Sequence, residues 1–489
     1  LTLTPSRADA LPLLAFLVAL GAAMRFASLG EQSFHHDEVI TAARVIPGSF
    51  TDMLSAVRHS ESNPPLYYVL AWGWAKPFGT GEFGLRSLSA LFGLATVPIA
   101  YCIGAELSNR RAALIAAALV AVNPMLIWYS QEARSYAVLV FFCAVSLLFF
   151  VRALRTRERT DLSLWALASA LALCSHYFAF FAIGIEAVWL LVALRFRWRV
   201  LAAVGAVGVV GLALVPLLLA QVNPTHIGWI DRSLLSTRFL QTGVSFLAGE
   251  TGHVIAEPPR ERYAVVPVIL IGAAWLLVAA RGTWRERRGA LLGAAVGLGV
   301  ALLSLAAALV GKDYVVERNL LPALLPLGIA AAIGFGAERA SRLGLLLAVL
   351  LCVYWVGFGI RVTQTPNLQR PDFRGVVDEL GPSRWPRAIV SWKLAAGPVH
   401  FYLHDHARRI YSGVTPVREI DVISKPIGGG PTGVPRAFHE IARVRFERLT
   451  LTRYLSGRIR EIPFYRLHNI HTGFGDAAVV VSPPTGSAP

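Results

Sequence analysis

Four short polar stretches interrupt an otherwise apolar chain, and each holds side chains able to move a proton or hold an anion. FHHDEV at 34–39 sets Asp37 and Glu38 side by side behind His35 and His36. Adjacent carboxylates in a partly dry pocket raise one another's pKa, and one of them can then serve as a base. A solvated loop, or the acidic first turn of a surface helix, has the same letters. WYSQEARSY at 128–136 crowds Gln131, Glu132 and Arg134 into a tight turn, where Glu132 and Arg134 can pair with each other. GKDYVVERNLLPALLP at 311–326 carries Lys312 and Arg318. An arginine at a membrane boundary presents a bidentate fork to a phosphate, or else snorkels as a helix anchor. NPPLYYVLAWGW at 63–74 breaks at two prolines and continues as an aromatic-rich amphipathic stretch that includes Tyr67. That pattern suits a helix lying in a membrane interface, or the ordinary aromatic belt of a membrane protein.

What positions these stretches is a series of apolar runs. The chain is 55% hydrophobic and only 16% charged, with a mean hydropathy of +0.55. Both values depart from a soluble domain in the direction of lipid. Runs long enough to cross the hydrocarbon core fall at 11–29, 86–106, 112–129, 136–153, 163–178, 179–194, 200–220, 263–280, 289–310, 319–337 and 342–361. The first is too long for a signal-peptide core, lacks a small-residue cleavage site, and reads as a retained span. His176 sits where the fifth and sixth runs meet almost without a loop.

Charge then sets the orientation. Arg110 and Arg111 follow the second span; Arg152, Arg155, Arg157 and Arg159 the fourth; Arg195, Arg197 and Arg199 the sixth; Arg281, Arg285, Arg287 and Arg288 the eighth; Arg339 and Arg342 the tenth. The positive-inside rule puts these loops, and the N-terminus, in the cytoplasm. The outer side of the cytoplasmic membrane then receives 30–85, the QEARSY turn, 221–262, 311–318 and everything after 362. The net charge of +16 is spread over these short arginine clusters, a distribution that argues against nucleic-acid binding. Cys102, Cys143, Cys174 and Cys352 each lie inside an apolar run with no metal-site spacing, and read as small packing residues. The tail differs in kind. A helix-like PDFRGVVDEL at 371–380 and strand-like AIVSW at 388–392 and AAVVVS at 477–482 predict a small α/β domain. The expected architecture is an all-α polytopic membrane domain over 1–362, with about eleven transmembrane helices and an outer loop at 30–85. A soluble extracytoplasmic domain over 363–489 completes it.

Taken in order, these motifs resemble the GT-C class glycosyltransferases of the protein O-mannosyltransferase type, a branch that includes the lipid A aminoarabinose transferase and the Rgt-type transferases. The resemblance spans about 11–362. Such proteins carry an acidic motif after the first span, here Asp37 and Glu38. A Pro-Pro-aromatic segment follows, here Asn63, Pro64, Pro65, Leu66, Tyr67 and Tyr68, then an arginine-led second span, FGLRSLSALFG at 83–93. A SQEAR-Y element at 130–136 and a late Arg-aromatic-Leu-Leu-Pro motif complete the order. The late motif stands here as Arg318, Asn319, Leu320, Leu321 and Pro322, with Asn319 in the aromatic place. PDFRGVVDEL is similar to the start of the soluble domain in many of these proteins.

The resemblance implies sugar transfer, of a mannose or pentose type, from a polyprenyl-phosphate carrier to a glycan, lipid or protein acceptor at the outer face. Asp37 and Glu38 would be the catalytic pair. Arg318, Lys312, Arg134, Glu132, Tyr67 and His176 would bind substrate. Some members coordinate a divalent metal with outer-loop Glu and His, and His35 and His36 would supply ligands here; many members need none. Single displacement would invert the anomeric centre. Two other readings compete. Glu186, inside the sixth span, would suit a lipid or glycan transporter or flippase. A catalytically dead scaffold whose outer domain binds glycan is the second.

Overall fold

The computed structural model describes residues 7–222, 230, 233–249, 261–403, 407–425, 430–446, 448–473 and 475–484. These residues form two compact units: 7–29 with 45–361, and 30–44 with 362–484.

The first unit is helical. Its elements are α1 (Arg7–Phe26), α3 (Phe50–Ser60), α4 (Leu66–Phe78), α5 (Glu82–Leu107), α6 (Arg110–Val122), α7 (Pro124–Ser130), α8 (Tyr136–Thr156), α9 (Arg159–Ser175), α10 (Ala179–Ala193), α11 (Trp198–Gln221), α12 (Leu235–Ala248), α13 (Glu261–Arg281), α14 (Trp284–Leu309), α15 (Leu321–Phe335) and α16 (Ser341–Gln364). Every run read as a span coincides with one of these helices or with a helix pair. Among the described residues, seven helices are long and apolar enough to cross a membrane, or eight if the pair α6–α7 counts as one span bent by 55°. The chain is therefore a multi-pass membrane protein. Ala10–Phe26 within α1, and α10, are shorter apolar stretches, so length and composition alone support fewer than the eleven crossings expected. The region 221–262, read as an outer loop, lies partly outside the described residues, and its described part contains the amphipathic α12.

Why these helices associate is visible in their small residues. Lipid gives helices no hydrophobic reason to meet, so close backbone approach supplies the attraction. A Cβ on Gly104 would come within 2.7 Å of the Ala113 backbone, and one on Gly336 within 2.6 Å of Ala112. The stretch Glu317–Phe335 is the most enclosed of the spans, 78% of it covered by protein, whereas Trp198–Gln221 is 11% covered and forms the lipid-facing periphery. Arg25 in α1 is fully buried because its guanidinium is satisfied by Ser130 Oγ and the carbonyls of Gly21, Val120 and Ala121.

The two ends of the helical unit are chemically distinct. At one end the arginine-bearing loops meet. Arg155 reaches Glu106 at 3.0 Å, and Arg152 reaches Asp161 at 3.2 Å. Asn109 donates to Glu286 and to the Gly336 carbonyl, and the Glu338 amide donates to the same Glu286. Four of the five arginine clusters read in the sequence thus border one end, as alternating spans require. The other end gathers residues 61–68, 131–136, 176–178, 221, 238 and 313–318.

The second unit is built on a six-stranded sheet: β1 (Arg387–Trp392), β2 (Arg408–Ile410), β3 (Val414–Ser424), β4 (His439–Arg445), β5 (Thr450–Pro463) and β6 (Ala477–Ser482), in the order β2-β6-β1-β3-β5-β4. Only β1 and β3 pair in parallel; the other neighbours are antiparallel. Helices α17 (Phe373–Leu380), α18 (Ala396–Leu403) and α19 (Phe464–His468) accompany it. β1 and β6 fall on the two stretches expected as strands, and α17 on PDFRGVVDEL. Phe373, Val376 and Leu380 of α17 recur at helical spacing and join Ile389, Trp392 and Val399 in one core. Inside the sheet, Arg387 and Arg453 are matched by Glu419 and Asp421, with nitrogen–oxygen distances from 2.8 to 3.4 Å. Two guanidiniums facing two carboxylates keep this buried cluster electrically balanced, the condition for tolerating charge in an interior.

Candidate functional site

The acidic motif belongs to the second unit. Residues 36–40 form one helical turn, α2, which His35 caps. The Glu38 side chain accepts from the His35 amide at 3.2 Å and lies 3.2 Å from His35 Nδ1, closing a capping box. Glu38 is fully buried. Asp37 is not: its side chain is 29% exposed, and His35 Nε2 lies 4.0 Å from its carboxylate. The imidazole therefore stands between two carboxylates that the sequence could only describe as neighbours. Glu38 thus serves to build the turn, and Asp37 is the partly exposed carboxylate of the pair.

His36 turns the other way. It lies against Gly397, where an added Cβ would sit 3.2 Å from its Nδ1. Burial holds its pKa below the ordinary histidine value, so the ring is neutral at pH 7. Among the described residues no group of three or more His, Cys, Asp or Glu side chains is arranged to hold a metal ion. His35 is engaged with the two carboxylates and His36 points into protein, so these histidines do not fit a metal-ligand set.

The second set of predicted residues lies in the helical unit, at the end away from the arginine loops. Arg134 is buried and bonded to Glu61 at 2.8 Å, with its guanidinium 5.9 Å from the centre of the Tyr68 ring. This pair bridges 73 residues of chain, beyond the Glu132 that the sequence offered as a neighbour. Glu132 is itself buried. Tyr67 is fully buried and meets Tyr68 edge-to-face at 5.3 Å. Tyr67, Tyr68, Ala71 and Ala75 form the covered face of α4, so the stretch read as interfacial is a one-sided helix.

His176 caps the end of α9, 5.6 Å from the Tyr136 ring, within electrostatic reach of both Arg134 and Arg318. Its Nδ1 accepts from the Phe178 amide at 3.2 Å, so the neutral ring carries its proton on Nε2. Arg318 is half-buried in the short turn Glu317–Leu320 that leads into α15. Lys312 is exposed on the preceding loop. Thus Arg134, His176 and Arg318 share one neighbourhood, and Lys312 marks its solvent side.

Several residues of this end had no signal in the sequence. Arg238 binds Asp313 through two contacts, at 2.8 and 2.5 Å, and donates to the Val315 carbonyl at 2.9 Å, fixing the loop before Arg318. Gln221 donates to the carbonyls of Val57 and Asn63 and accepts from Tyr177 at 2.7 Å. These are contacts across long stretches of chain, which no local spacing encodes. Glu186, the residue that favoured transport, lies in the helical interior and accepts from Ser146 and, at 2.8 Å, from Trp165. It also lines a small cavity beside Leu321, Pro322 and Pro326.

Two comparisons bear out the resemblance to the GT-C glycosyltransferases. Residues 47–227 match the family model for dolichyl-phosphate-mannose-protein mannosyltransferase. The fold is similar to that of ArnT from Cupriavidus metallidurans. The apo form is 14% identical, with a TM-score of 0.56, covering 91% of this chain and 98% of that one. The form bound to undecaprenyl phosphate is 12% identical, with a TM-score of 0.53, covering 90% of this chain and 97% of that one. At such identities the likeness is one of fold. No curated protein matches this chain.

Proposed function

We propose that the chain is a membrane glycosyltransferase. It moves a sugar from a polyprenyl-phosphate carrier to an acceptor hydroxyl at the outer face of the cytoplasmic membrane, with inversion. The observation that carries this reading is the difference between the two carboxylates of the acidic turn: Glu38 is buried in building it, and Asp37 is 29% exposed. The relative solved with undecaprenyl phosphate supports the choice of carrier.

In this reading the acceptor oxygen attacks the anomeric carbon while the bond from that carbon to the phosphate oxygen breaks. Asp37 takes the acceptor proton, and polyprenyl phosphate leaves with the electron pair. His35, between the two carboxylates, stabilises Asp37 as an anion in the resting state. The leaving phosphate is a weak base, so electrostatic stabilisation serves it better than a general acid. Arg318 is assigned that role first, as the arginine of the late Arg-Asn-Leu-Leu-Pro motif at 318–322. Lys312, on the exposed loop, helps attract the anion. His176, Tyr67 and Glu132 shape the pocket around it. The arginine loops face the cytoplasm and the C-terminal domain faces outward.

The test is to incubate purified protein with a panel of polyprenyl-phosphate sugars and follow released polyprenyl phosphate. Release from one donor, abolished by Asp37→Asn, is expected. No release from any donor, with folded protein and acceptor extracts present, would overturn the assignment.

A further inference from the structure

The residues leading into the acidic turn are held along their whole length by groups of the C-terminal domain. Arg374 donates to the Glu31 carbonyl at 2.6 Å. Gln32 accepts from the Arg370 amide at 3.1 Å. Ser33 donates to the Pro371 carbonyl and accepts from the Phe373 amide, both at 3.0 Å. Phe34 is fully buried, 5.9 Å from Phe401 edge-to-face, and its amide donates to Tyr402 Oη at 2.7 Å. His36 rests on Gly397. Of these contacts, those to residues 31–33 come from Arg370–Arg374 at the start of α17, and those to Phe34 and His36 from α18.

The geometry points to α18 as the positioning element for the acidic turn, with Tyr402 as its central positioning residue. This rests on the reading of Asp37 as the base. The Phe34 amide is an obligatory donor in a buried place, and Tyr402 Oη is the acceptor that satisfies it. Two residues of chain separate Phe34 from Asp37, so the rotation that aims Asp37 is set by how Phe34 and His36 are seated. Small misplacements of a reacting group are costly: a shift near 1 Å can lose roughly a hundredfold in rate. The C-terminal domain then takes part in catalysis through its hold on the acidic turn.

The experiment uses the full-length protein in detergent or nanodiscs, with Tyr402→Phe, Gly397→Ala and, as a control on an exposed residue of the same domain, Tyr465→Phe. Hydrogen exchange of the peptide covering 31–40 is measured beside kcat and the donor KM. The expected result for Tyr402→Phe is faster exchange at Phe34, a fall in kcat of about tenfold to a hundredfold, and a donor KM changed less than about twofold. Gly397→Ala should lower kcat in the same pattern by displacing His36, and Tyr465→Phe should change neither readout. Unchanged exchange in Tyr402→Phe would overturn the proposal. So would faster exchange with wild-type kcat while Asp37→Asn is inactive. A parallel loss of kcat and thermal stability in Tyr465→Phe would also overturn it, since any change in the domain would then act alike. If the wild-type chain transfers no sugar at all, the base assignment fails separately, and a 31–40 peptide protected equally in wild type and Tyr402→Phe would remove the anchor as well.

Discussion

The two ends of the helical unit hold similar residues to opposite purposes. At the arginine-loop end, Arg155 pairs with Glu106 while 60% exposed, and Arg152 pairs with Asp161 while 41% exposed. At the other end, Arg134 and Glu61 are 7% and 2% exposed, and Arg238 is 6% exposed against Asp313. Exposed pairs are screened and contribute from zero to about 1 kcal/mol. Breaking a buried pair strands a charge and costs about 3–5 kcal/mol. The pairs at the first end are therefore tolerant of change. The second is a built polar end, in which Arg134 and Arg238 are each held by a specific carboxylate.

The largest effect that could break this contrast is at Glu61. Glu61→Ala should destabilise the protein by about 3–5 kcal/mol and reduce transfer, because Arg134 is left buried without its carboxylate. Thermal unfolding in detergent reads the first and donor turnover the second. A cost near zero would mean that the pair is solvated like those at the other end. Next is Arg318. Arg318→Ala should weaken donor binding and turnover together by about 1.5–3 kcal/mol, the range of a hydrogen bond to a charged group. Arg318→Lys should recover only part, since an ammonium cannot copy the planar fork. A snorkelling anchor would accept Lys fully and lose little with Ala.

A smaller effect concerns pH. The hydrogen bond from Arg238 holds the Asp313 carboxyl below its ordinary pKa. Its folded value is depressed, so its stabilising contribution is complete above the unfolded pKa of about 4 and is lost as pH falls through the depressed value. Stability followed from neutral pH downward should therefore fall more steeply in wild type than in Asp313→Asn below about pH 4. Equal slopes would remove the pair from the account. The smallest effect is expected at Arg155: Arg155→Ala should change stability by no more than about 1 kcal/mol. Its neighbourhood matters for topology instead. In a cysteine-free background, single cysteines at Arg157 and Thr283 should label only from the cytoplasmic side and one at Arg458 only from outside; labelling of Arg458 from the cytoplasmic side alone would reverse the orientation.

How much of this was legible in the sequence follows from the range of each interaction. Helical runs and the strands at 388–392 and 477–482 are written in local composition, and each appears where expected; four of the five arginine clusters border one end. The order of FHHDEV, the Pro-Pro-aromatic segment and Arg318 was enough to indicate the architecture. Side-chain partners were not legible. Arg134 stands two residues from Glu132, and proximity in sequence suggested that pair; its bond to Glu61, 73 residues away, left no such trace. Asp37 and Glu38 read as equivalent neighbours because period and spacing are blind to capping; only the His35 turn separates an accessible carboxylate from a buried one. That residues 30–44 join the C-terminal residues rather than the helices depends on Phe34, Ser33 and Tyr402, contacts spanning most of the chain.

The central claim is that Asp37, and not its neighbour, takes the acceptor proton. The direct measurement is transfer from a polyprenyl-phosphate sugar by Asp37→Asn and Glu38→Gln, with thermal stability measured on the same samples. Asp37→Asn should lose roughly 100- to 10,000-fold in kcat at near-wild-type stability, as removal of a general base does. Glu38→Gln should lose stability of the turn and retain measurable turnover. Near-normal turnover in Asp37→Asn, with Glu38→Gln folded and inactive, would contradict the account and move the base to Glu38.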